Sequence, residues 1–435
     1  MSPAPGDRHR ALAYVGASAF INVASFLYTV LCSRILGPVD YGVLASLLAL
    51  LLVVGVPLNA AQLATVRAAT EASPGAGVRV VLVRAIAVGA ALTAAGALAS
   101  PLVAKYLRLG SVIPVVVLAV YVGFAAVSTA PQGVLIARGA TMRVALVLCA
   151  GSTLRLTLGL SLVTAGGGVT GALTASVVGQ AVVLALLLRS LRPAPQLRTP
   201  RAHREQVRPS GADGLLALAA LMGFAAFTSV DALASRRLFL PAASGFYVAS
   251  ATAARVALFA PGALAVVAYP RLTRSWGTGL GFRSQVRTFT LGVVAIALAV
   301  ASGLCVASSS VVHLLFGPSY GEAVATLPVL AGGAALMALV EFATYANVSR
   351  RSAWALAPWI AAAAIGAVAA LARPSPHALA VVVLTVAAVT AAATLLPLLV
   401  LRDRQHGADL LPGRSAADHM SPARSAEPRS SGGTR

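Results

Sequence analysis

The stretch SRILGPVDYG, residues 33–42, separates two long apolar runs near the start of the chain, and SRRLFLPAASG, residues 235–245, separates two others. Each stretch begins with Ser-Arg, carries a proline and ends in glycine. The apolar run that follows contains a further proline at a similar distance, Pro57 after the first stretch and Pro261 after the second. This repetition predicts a chain built from two similar halves.

Composition indicates the environment in which the repeat folds. Of 435 residues, 58% are hydrophobic and 10% are charged, and the mean hydropathy is +0.87. One soluble core cannot bury that much apolar surface, whereas a membrane-crossing helix needs about 20 mostly apolar residues. Twelve such runs lie near 12–31, 42–66, 80–104, 111–130, 144–164, 169–188, 213–234, 242–268, 288–311, 321–345, 354–371 and 378–401. We therefore predict an all-α polytopic membrane protein with about twelve transmembrane helices.

Basic residues predict the orientation of these spans. With the N-terminus inside, 25 of the 33 Lys and Arg residues fall on the cytoplasmic side and six on the outer side, while Arg155 and Arg255 lie within spans. Because cytoplasmic loops are enriched in Lys and Arg, we expect both termini in the cytoplasm, and we interpret the net charge of +21 as a membrane signature rather than as nucleic-acid binding. The bias toward Arg, Ala, Val and Gly, with Lys105 the single lysine, favours a bacterial plasma membrane. Seven aromatic residues near span ends are predicted to anchor the membrane interfaces: Tyr28, Tyr41, Tyr106, Tyr269, Tyr320, Tyr345 and Trp354.

A basic, proline-rich segment divides the spans into two sets of six. It covers residues 189–212 and is predicted to be a cytoplasmic linker between an N-lobe, 1–188, and a C-lobe, 213–401. Residues 402–435 are rich in Ser, Ala, Pro, Arg and Gly and are predicted to form a disordered cytoplasmic tail. Because six spans per half preserve orientation, the repeat is parallel, about an axis along the membrane normal.

The prolines of the repeat indicate a transporter. Pro57 and Pro261 are predicted helix breaks, because proline leaves backbone carbonyls unpaired and a broken span is best tolerated beside protein or a water-filled cavity. Matched interrupted helices in two halves are typical of secondary transporters with a site between the lobes.

These motifs also carry a resemblance. Residues 33–42 resemble the signature after the first span of Wzx-type polysaccharide flippases, in the multidrug/oligosaccharidyl-lipid/polysaccharide (MOP) exporter superfamily. Tyr269-Pro270-Arg271-Leu272 and Leu315-Phe316-Gly317-Pro318-Ser319-Tyr320 are similar to two further motifs of that family. The resemblance covers about residues 10–400 and implies two six-helix lobes, as in MATE and other MOP proteins, around a central cavity that opens alternately to either side. It implies a polyprenyl-pyrophosphate-linked glycan as substrate, passed outward across the bilayer, and a glycan polymerase and glycosyltransferases of the same pathway as partners.

Two arginines are candidates for binding the lipid pyrophosphate. A charge near the bilayer centre costs about 2.5–3.5 kcal/mol on insertion scales and needs a partner or a wet cavity. Arg255 lies midway along the eighth span before Pro261, and its guanidinium can grip a pyrophosphate bidentately; a structural pair with Asp231 is the alternative. Arg155 is central to the fifth span and is the second candidate.

Two carboxylates and a further arginine complete the candidate set. Asp231 and Glu341 can bind a proton or sodium ion for coupling, or can be structural partners of Arg236 and Arg350, respectively. Arg34 closes the first span, with Arg236 as its repeat counterpart, and either anchors headgroups or contacts glycan or pyrophosphate in the outward state.

Several chemistries are missing from the sequence. Lys105 is followed by Tyr106, so no Gly-Lys pair forms a nucleotide-binding loop, and the six histidines follow no metal pattern. We therefore predict a transporter rather than an enzyme, with no catalytic residues, cofactor or metal. The alternatives are a cation-coupled multidrug exporter or a lipid II flippase of the same superfamily, a membrane glycosyltransferase or glycan ligase, which the short outer loops disfavour, and a scaffold in glycan assembly.

Overall fold

The computed structural model describes residues 5–71, 78–191, 211–278 and 281–400, and regular secondary structure in these ranges is helical throughout. The α-helices are α1 (Pro5–Glu71), α2 (Val78–Tyr106), α3 (Ile113–Ala137), α4 (Thr141–Leu162), α5 (Gly168–Ser190), α6 (Gly211–Phe227), α7 (Val230–Leu238), α8 (Pro241–Thr278), α9 (Phe282–Val306), α10 (Ser308–Phe316), α11 (Leu327–Ser349), α12 (Ala357–Ala372) and α13 (Pro376–Val400). A π-helical turn, Val163–Gly167, joins α4 to α5, and Pro318–Ala325 and Ala353–Leu356 are 3-10 helices.

Ten helical stretches in the described ranges are long and apolar enough to cross a membrane. Two of them, Gly16–Thr70 and Thr141–Ser190, contain 55 and 50 residues, at least twice what one crossing needs. Gly37, with φ 72°, and Gly166, with φ 88°, interrupt these stretches in a left-handed conformation that glycine adopts readily. Each long stretch therefore holds two crossings, which gives the twelve that the sequence predicts.

Helices of the same half pack mainly with one another, α1–α5 in the N half and α6–α13 in the C half. Glycines allow close approaches: a Cβ on Gly123 would lie 3.0 Å from the carbonyl oxygen of Gly89, and one on Gly179 would lie 3.2 Å from that of Gly151. Because lipid is as apolar as a leucine side chain, such tight packing of small residues is a main source of helix association in membranes.

The repeated motifs themselves form a seam between the halves. A Cβ on Gly42 would lie 3.2 Å from the backbone nitrogen of Gly245, so the two stretches touch through their backbones. Tyr41 and Ala45 of α1 belong to the same buried cluster as the core of the C half. We call this region, residues 33–42, 104–109, 235–245 and 314–320, the motif end.

The predicted domain boundaries fall at or near helix ends. Helix α5 ends at Ser190 and α6 begins at Gly211, so each helix extends two residues into the predicted linker. Residues 192–210 and 401–435 lie outside the described residues, so the linker and the tail, and with them the division at 189–212 and 402–435, stay predictions.

The aromatic anchors are only partly where the sequence suggests. Tyr106 and Trp354 are half exposed, at 50% and 48%, as interfacial residues would be. Tyr28, Tyr41 and Tyr320 are at most 1% exposed, and for these three the interfacial interpretation is wrong. Their rings fill the protein interior and their hydroxyls bond inside the protein, as buried tyrosines require.

Candidate functional site

The seventh span is interrupted within the C half. Helix α6 ends at Phe227 and α7 begins at Val230, with Thr228 and Ser229 between them, and Ser229 has φ −120° and ψ −21°. The last carbonyls of α6 and the first amides of α7 lack partners within their helices. The break therefore presents a negative helix end and a positive helix end at one place.

Asp231 lies in the first turn of α7 and is 5% exposed. The hydroxyl of Tyr247 donates to its Oδ2 at 3.2 Å. Its Oδ1 is buried and has no hydrogen-bond partner among the described residues. A carboxylate is favoured at a helix N-terminus, so the break in the span supports this buried charge.

Arg255 of α8 binds the other side of the break. Its Nη2 donates to the carbonyl oxygen of Thr228 at 3.1 Å, the end at which a helix attracts a cation. Arg255 and Asp231 also interact electrostatically. Both line a small cavity between Thr228 and helices α7, α8, α11 and α13, whose apolar walls include Leu258 and Met337. This cavity lies inside the C half rather than between the halves.

The arrangement places the buried carboxylate of Asp231 near the partly buried guanidinium of Arg255, and each has a polar neighbour. The two opposite charges lower the cost of holding either one within the membrane. The free Oδ1 of Asp231 is the atom that would take a proton or a small cation if this carboxylate couples transport to an ion. Sequence reasoning missed Thr228 and Tyr247, since neither a backbone carbonyl nor a single buried phenol leaves a pattern.

Arg155 of α4 occupies a different environment in the N half. Its guanidinium carbon lies 4.3 Å from the centroid of the Tyr28 ring, a cation–π distance. Tyr28 donates its hydroxyl to the carbonyl oxygen of Ala172 at 2.7 Å, which fixes the ring. The Nε of Arg155 is buried and lacks a hydrogen-bond partner among the described residues. An aromatic face, not a carboxylate, is the contact described for this arginine.

The two repeat arginines bind backbone carbonyls. Arg34 is exposed and donates from Nε to the carbonyl oxygen of Leu315 at 2.8 Å, and from Nη2 to that of Leu314. Arg236 is 6% exposed and donates to the carbonyl oxygen of Leu107 at 3.1 Å. Arg236 therefore has a partner other than the Asp231 side chain that the sequence offered as one possibility.

Glu341 of α11 faces α8. A Cβ on Gly262 would lie 3.1 Å from its Oε2, which places the carboxylate beside the glycine that follows Pro261. Arg350, the partner considered from the sequence, instead stacks over the Trp276 ring at 5.0 Å. The structure thus brings Asp231 and Arg255 together and places Glu341, Arg155 and Arg34 elsewhere.

Neither repeat proline stops its helix. Pro57 lies inside α1 and Pro261 inside α8, and the helical assignment continues through both. The interruption of α1 lies at Gly37, and in the C half a break lies at Thr228–Ser229, in the span before α8. Within the described ranges, three or more His, Cys, Asp or Glu side chains do not gather as they would to hold a metal ion.

Comparison with known proteins supplies the context for this geometry. The family model for polysaccharide biosynthesis proteins matches residues 31–325. No curated protein matches the chain by sequence.

Solved structures match the chain over most of its length. An inward-facing multidrug resistance MATE family transporter of the MOP superfamily is 13% identical, with a TM-score of 0.70, and the match covers 89% of this chain and 98% of that one. The lipid II flippase MurJ in an inward closed conformation is also 13% identical, with a TM-score of 0.68 and coverage of 89% and 87%. An outward-facing MATE family transporter is 16% identical, with a TM-score of 0.54 and coverage of 89% and 94%. The predicted fold class, a helical membrane protein of two six-helix lobes, is confirmed.

Proposed function

Since the chain belongs to the polysaccharide biosynthesis protein family, we propose that it is a secondary transporter that flips a polyprenyl-pyrophosphate-linked oligosaccharide from the cytoplasmic to the outer leaflet. The family match is the observation that carries this proposal, because it spans both halves and the seam between them. The fold supports it, since its structural relatives are transporters, one of them a lipid flippase.

Charge distribution decides which arginine we propose for the pyrophosphate. Arg255 already has Asp231 and the Thr228 carbonyl as neighbours, so binding an anion would compete with both. Arg155 has a buried Nε without a partner and an aromatic face beneath its guanidinium. We therefore assign the stronger pyrophosphate contact to Arg155 and the weaker one to Arg255.

The location proposed is the plasma membrane of a bacterium, with both termini in the cytoplasm. An inside-negative potential then helps an anion to leave, by about 2.3 kcal/mol per charge per 100 mV. A glycan polymerase and glycosyltransferases of the same pathway are the proposed partners. Labelling of single cysteines introduced at Arg201 and His313 should place the first inside and the second outside, and finding both on one side would contradict this orientation.

A flipping assay tests the substrate. Purified protein is reconstituted into vesicles with a fluorescent polyprenyl-pyrophosphate-linked oligosaccharide, and a membrane-impermeant quencher reports the lipid that remains in the outer leaflet. We expect exchange well above that of protein-free vesicles, accelerated by a potential that drives anions in the transport direction.

Two other probes in the same vesicles separate the alternatives. Fluorescent lipid II tests a lipid II flippase, and ethidium, with a sodium or proton gradient, tests a cation-coupled drug exporter. Movement of ethidium but not of the lipid-linked oligosaccharide would overturn the proposal in favour of the exporter.

A further inference from the structure

The two repeat arginines reach across the molecule in opposite directions. Arg34 stands on α1 of the N half, and its acceptors, the carbonyls of Leu314 and Leu315, belong to α10 of the C half. Arg236 stands on α7 of the C half, and its acceptor, the carbonyl of Leu107, follows α2 of the N half. Each half therefore donates hydrogen bonds to the other half through one arginine.

All three acceptors lie at helix C-termini. Helix α10 ends at Phe316 and α2 ends at Tyr106, so these carbonyls lack the amide that a further helical turn would supply. The helix dipole adds partial negative charge at the same place. A guanidinium stays charged at any physiological pH and offers several donors in a fixed fork, which suits it to bind such an end.

These two contacts between the halves follow the sequence repeat. Arg34 and Arg236 each occupy the position after serine in their stretches, SRILGP and SRRLFLP. Helix α2 is the third span of the N half, and α10 directly follows α9, the third span of the C half. The same contact is thus made twice, once in each direction.

These contacts surround a seam in which backbone meets backbone. A Cβ on Gly245 would overlap the carbonyl oxygen of Pro38, so no side chain fits there. Two further hydrogen bonds join the halves beside it: the Tyr320 hydroxyl donates to the Ser33 carbonyl oxygen at 2.8 Å, and the hydroxyls of Tyr41 and Thr252 lie 2.9 Å apart. The seam can separate only if these partners part.

We propose that Arg34 and Arg236 form a reciprocal latch that keeps the motif end closed, and that both guanidiniums release their carbonyl partners when this end opens during transport. The inference rests on the transporter assignment only for the opening itself and does not depend on the substrate. Arg236 is 6% exposed and Arg34 is exposed, so the Arg236 contact is the better shielded from water, and we expect its loss to have the larger effect.

The test measures the width of the motif end in lipid nanodiscs without substrate. Cys32, Cys149 and Cys305 are replaced by alanine, and spin labels are attached to cysteines introduced at Lys105 and Leu240, exposed positions on opposite halves. Pulsed electron paramagnetic resonance then gives the distance distribution. Arg236→Ala should raise the ratio of open to closed molecules roughly tenfold, Arg34→Ala somewhat less, and the double variant more than either.

Matched variants make the outcome specific. Arg237→Ala removes an exposed positive charge from the same helix and should leave the distribution unchanged. Gly245→Ala should wedge the seam apart and so marks the open distance. Arg34→Lys and Arg236→Lys keep the charge without the fork and should give intermediate ratios, which supplies a folded variant if an alanine variant is unstable.

Two results would overturn the latch. One is a distance distribution in the arginine variants that is identical to that of the unchanged protein. The other is a shift in Arg237→Ala as large as the shift in Arg236→Ala. The vesicle assay for the oligosaccharide is separate. If the arginine variants open the motif end but the protein does not flip the lipid-linked oligosaccharide, the latch is supported and the proposed substrate is wrong. If the protein flips the oligosaccharide but the arginine variants do not open the motif end, the proposed substrate is supported and the latch is wrong.

Discussion

Each half of the molecule carries an arginine well inside a membrane-crossing helix, Arg155 in the N half and Arg255 in the C half, and the two are held in different ways. Arg255 lies beside a break in the neighbouring span, where Thr228 supplies a helix-end carbonyl and Asp231 an opposite charge. Arg155 lies against the ring of Tyr28, and the described structure gives it no carboxylate neighbour.

A charge within the membrane-spanning part of this protein is thus accommodated in two different ways. In the C half, the interrupted span provides both helix-dipole ends and an acid, and the pair is electrically nearly neutral. In the N half, the quadrupole of an aromatic ring provides a weaker attraction and leaves the arginine available. We therefore expect the C-half site to govern stability and the N-half site to govern binding of an anion.

The largest predicted effect is on the C-half pair. Asp231→Ala leaves the Tyr247 hydroxyl without its acceptor and the partly buried guanidinium of Arg255 without its opposite charge, and it should lower the free energy of unfolding by about 1.5–3 kcal/mol. The measurement is the unfolding curve in detergent, together with the abundance of the variant in the membrane.

The double variant Asp231→Ala/Arg255→Ala tests whether the two charges act as a pair. Because it removes both charges, its loss should be clearly smaller than the sum of the two single losses. Additive losses would mean that the two side chains do not act as a pair and that the contrast between the halves is not one of charge compensation.

Much of the fold was accessible from the sequence, because hydropathy and basic residues report directly on membrane crossing. The twelve spans, the repeat of the two halves and the association of Asp231 with Arg255 as one alternative all came from residues that leave a pattern. The break at Thr228–Ser229 was not accessible, since neither residue is a recognised helix breaker and the helical assignment continues through Pro57 and Pro261, the two prolines at which the sequence predicts breaks.

Backbone carbonyls that bind side chains could not be predicted from the sequence either. The sequence offers Asp231 as one possible partner of Arg236, whereas in the structure Arg236 donates to the carbonyl of Leu107 and interacts electrostatically with Asp40. The end of a distant helix gives no sign in the sequence that it faces an arginine. Likewise Tyr28 was interpreted as an interfacial anchor because it lies near a span end, whereas its ring supports Arg155.

The second predicted effect is on the N-half arginine. Arg155→Ala should lower the free energy of unfolding by only about 1 kcal/mol, since a cation–π contact is lost and no acid is left unpaired. It should nevertheless reduce flipping of the lipid-linked oligosaccharide by about tenfold, because a charged contact to an anion is removed.

Arg155→Lys is the matched control, since it keeps the charge and should retain part of the activity. If Arg155→Ala flips the lipid at the wild-type rate, Arg155 does not contact the substrate. A stability loss as large as that of Asp231→Ala would break the distinction between the halves.

The smallest predicted effect separates the hydroxyl of Tyr28 from its ring. Tyr28→Phe removes the hydrogen bond to the Ala172 carbonyl and should cost about 1 kcal/mol of unfolding free energy. It keeps the aromatic face under Arg155, so flipping should stay near the wild-type rate. Tyr28→Leu removes the face as well, and should lower flipping toward the level of Arg155→Ala because the guanidinium loses its support. The rates are measured in the same vesicles. Equal flipping by Tyr28→Phe and Tyr28→Leu would show that the ring does not position Arg155. The charge of Arg155 would then have to be stabilised by other contacts of its side chain.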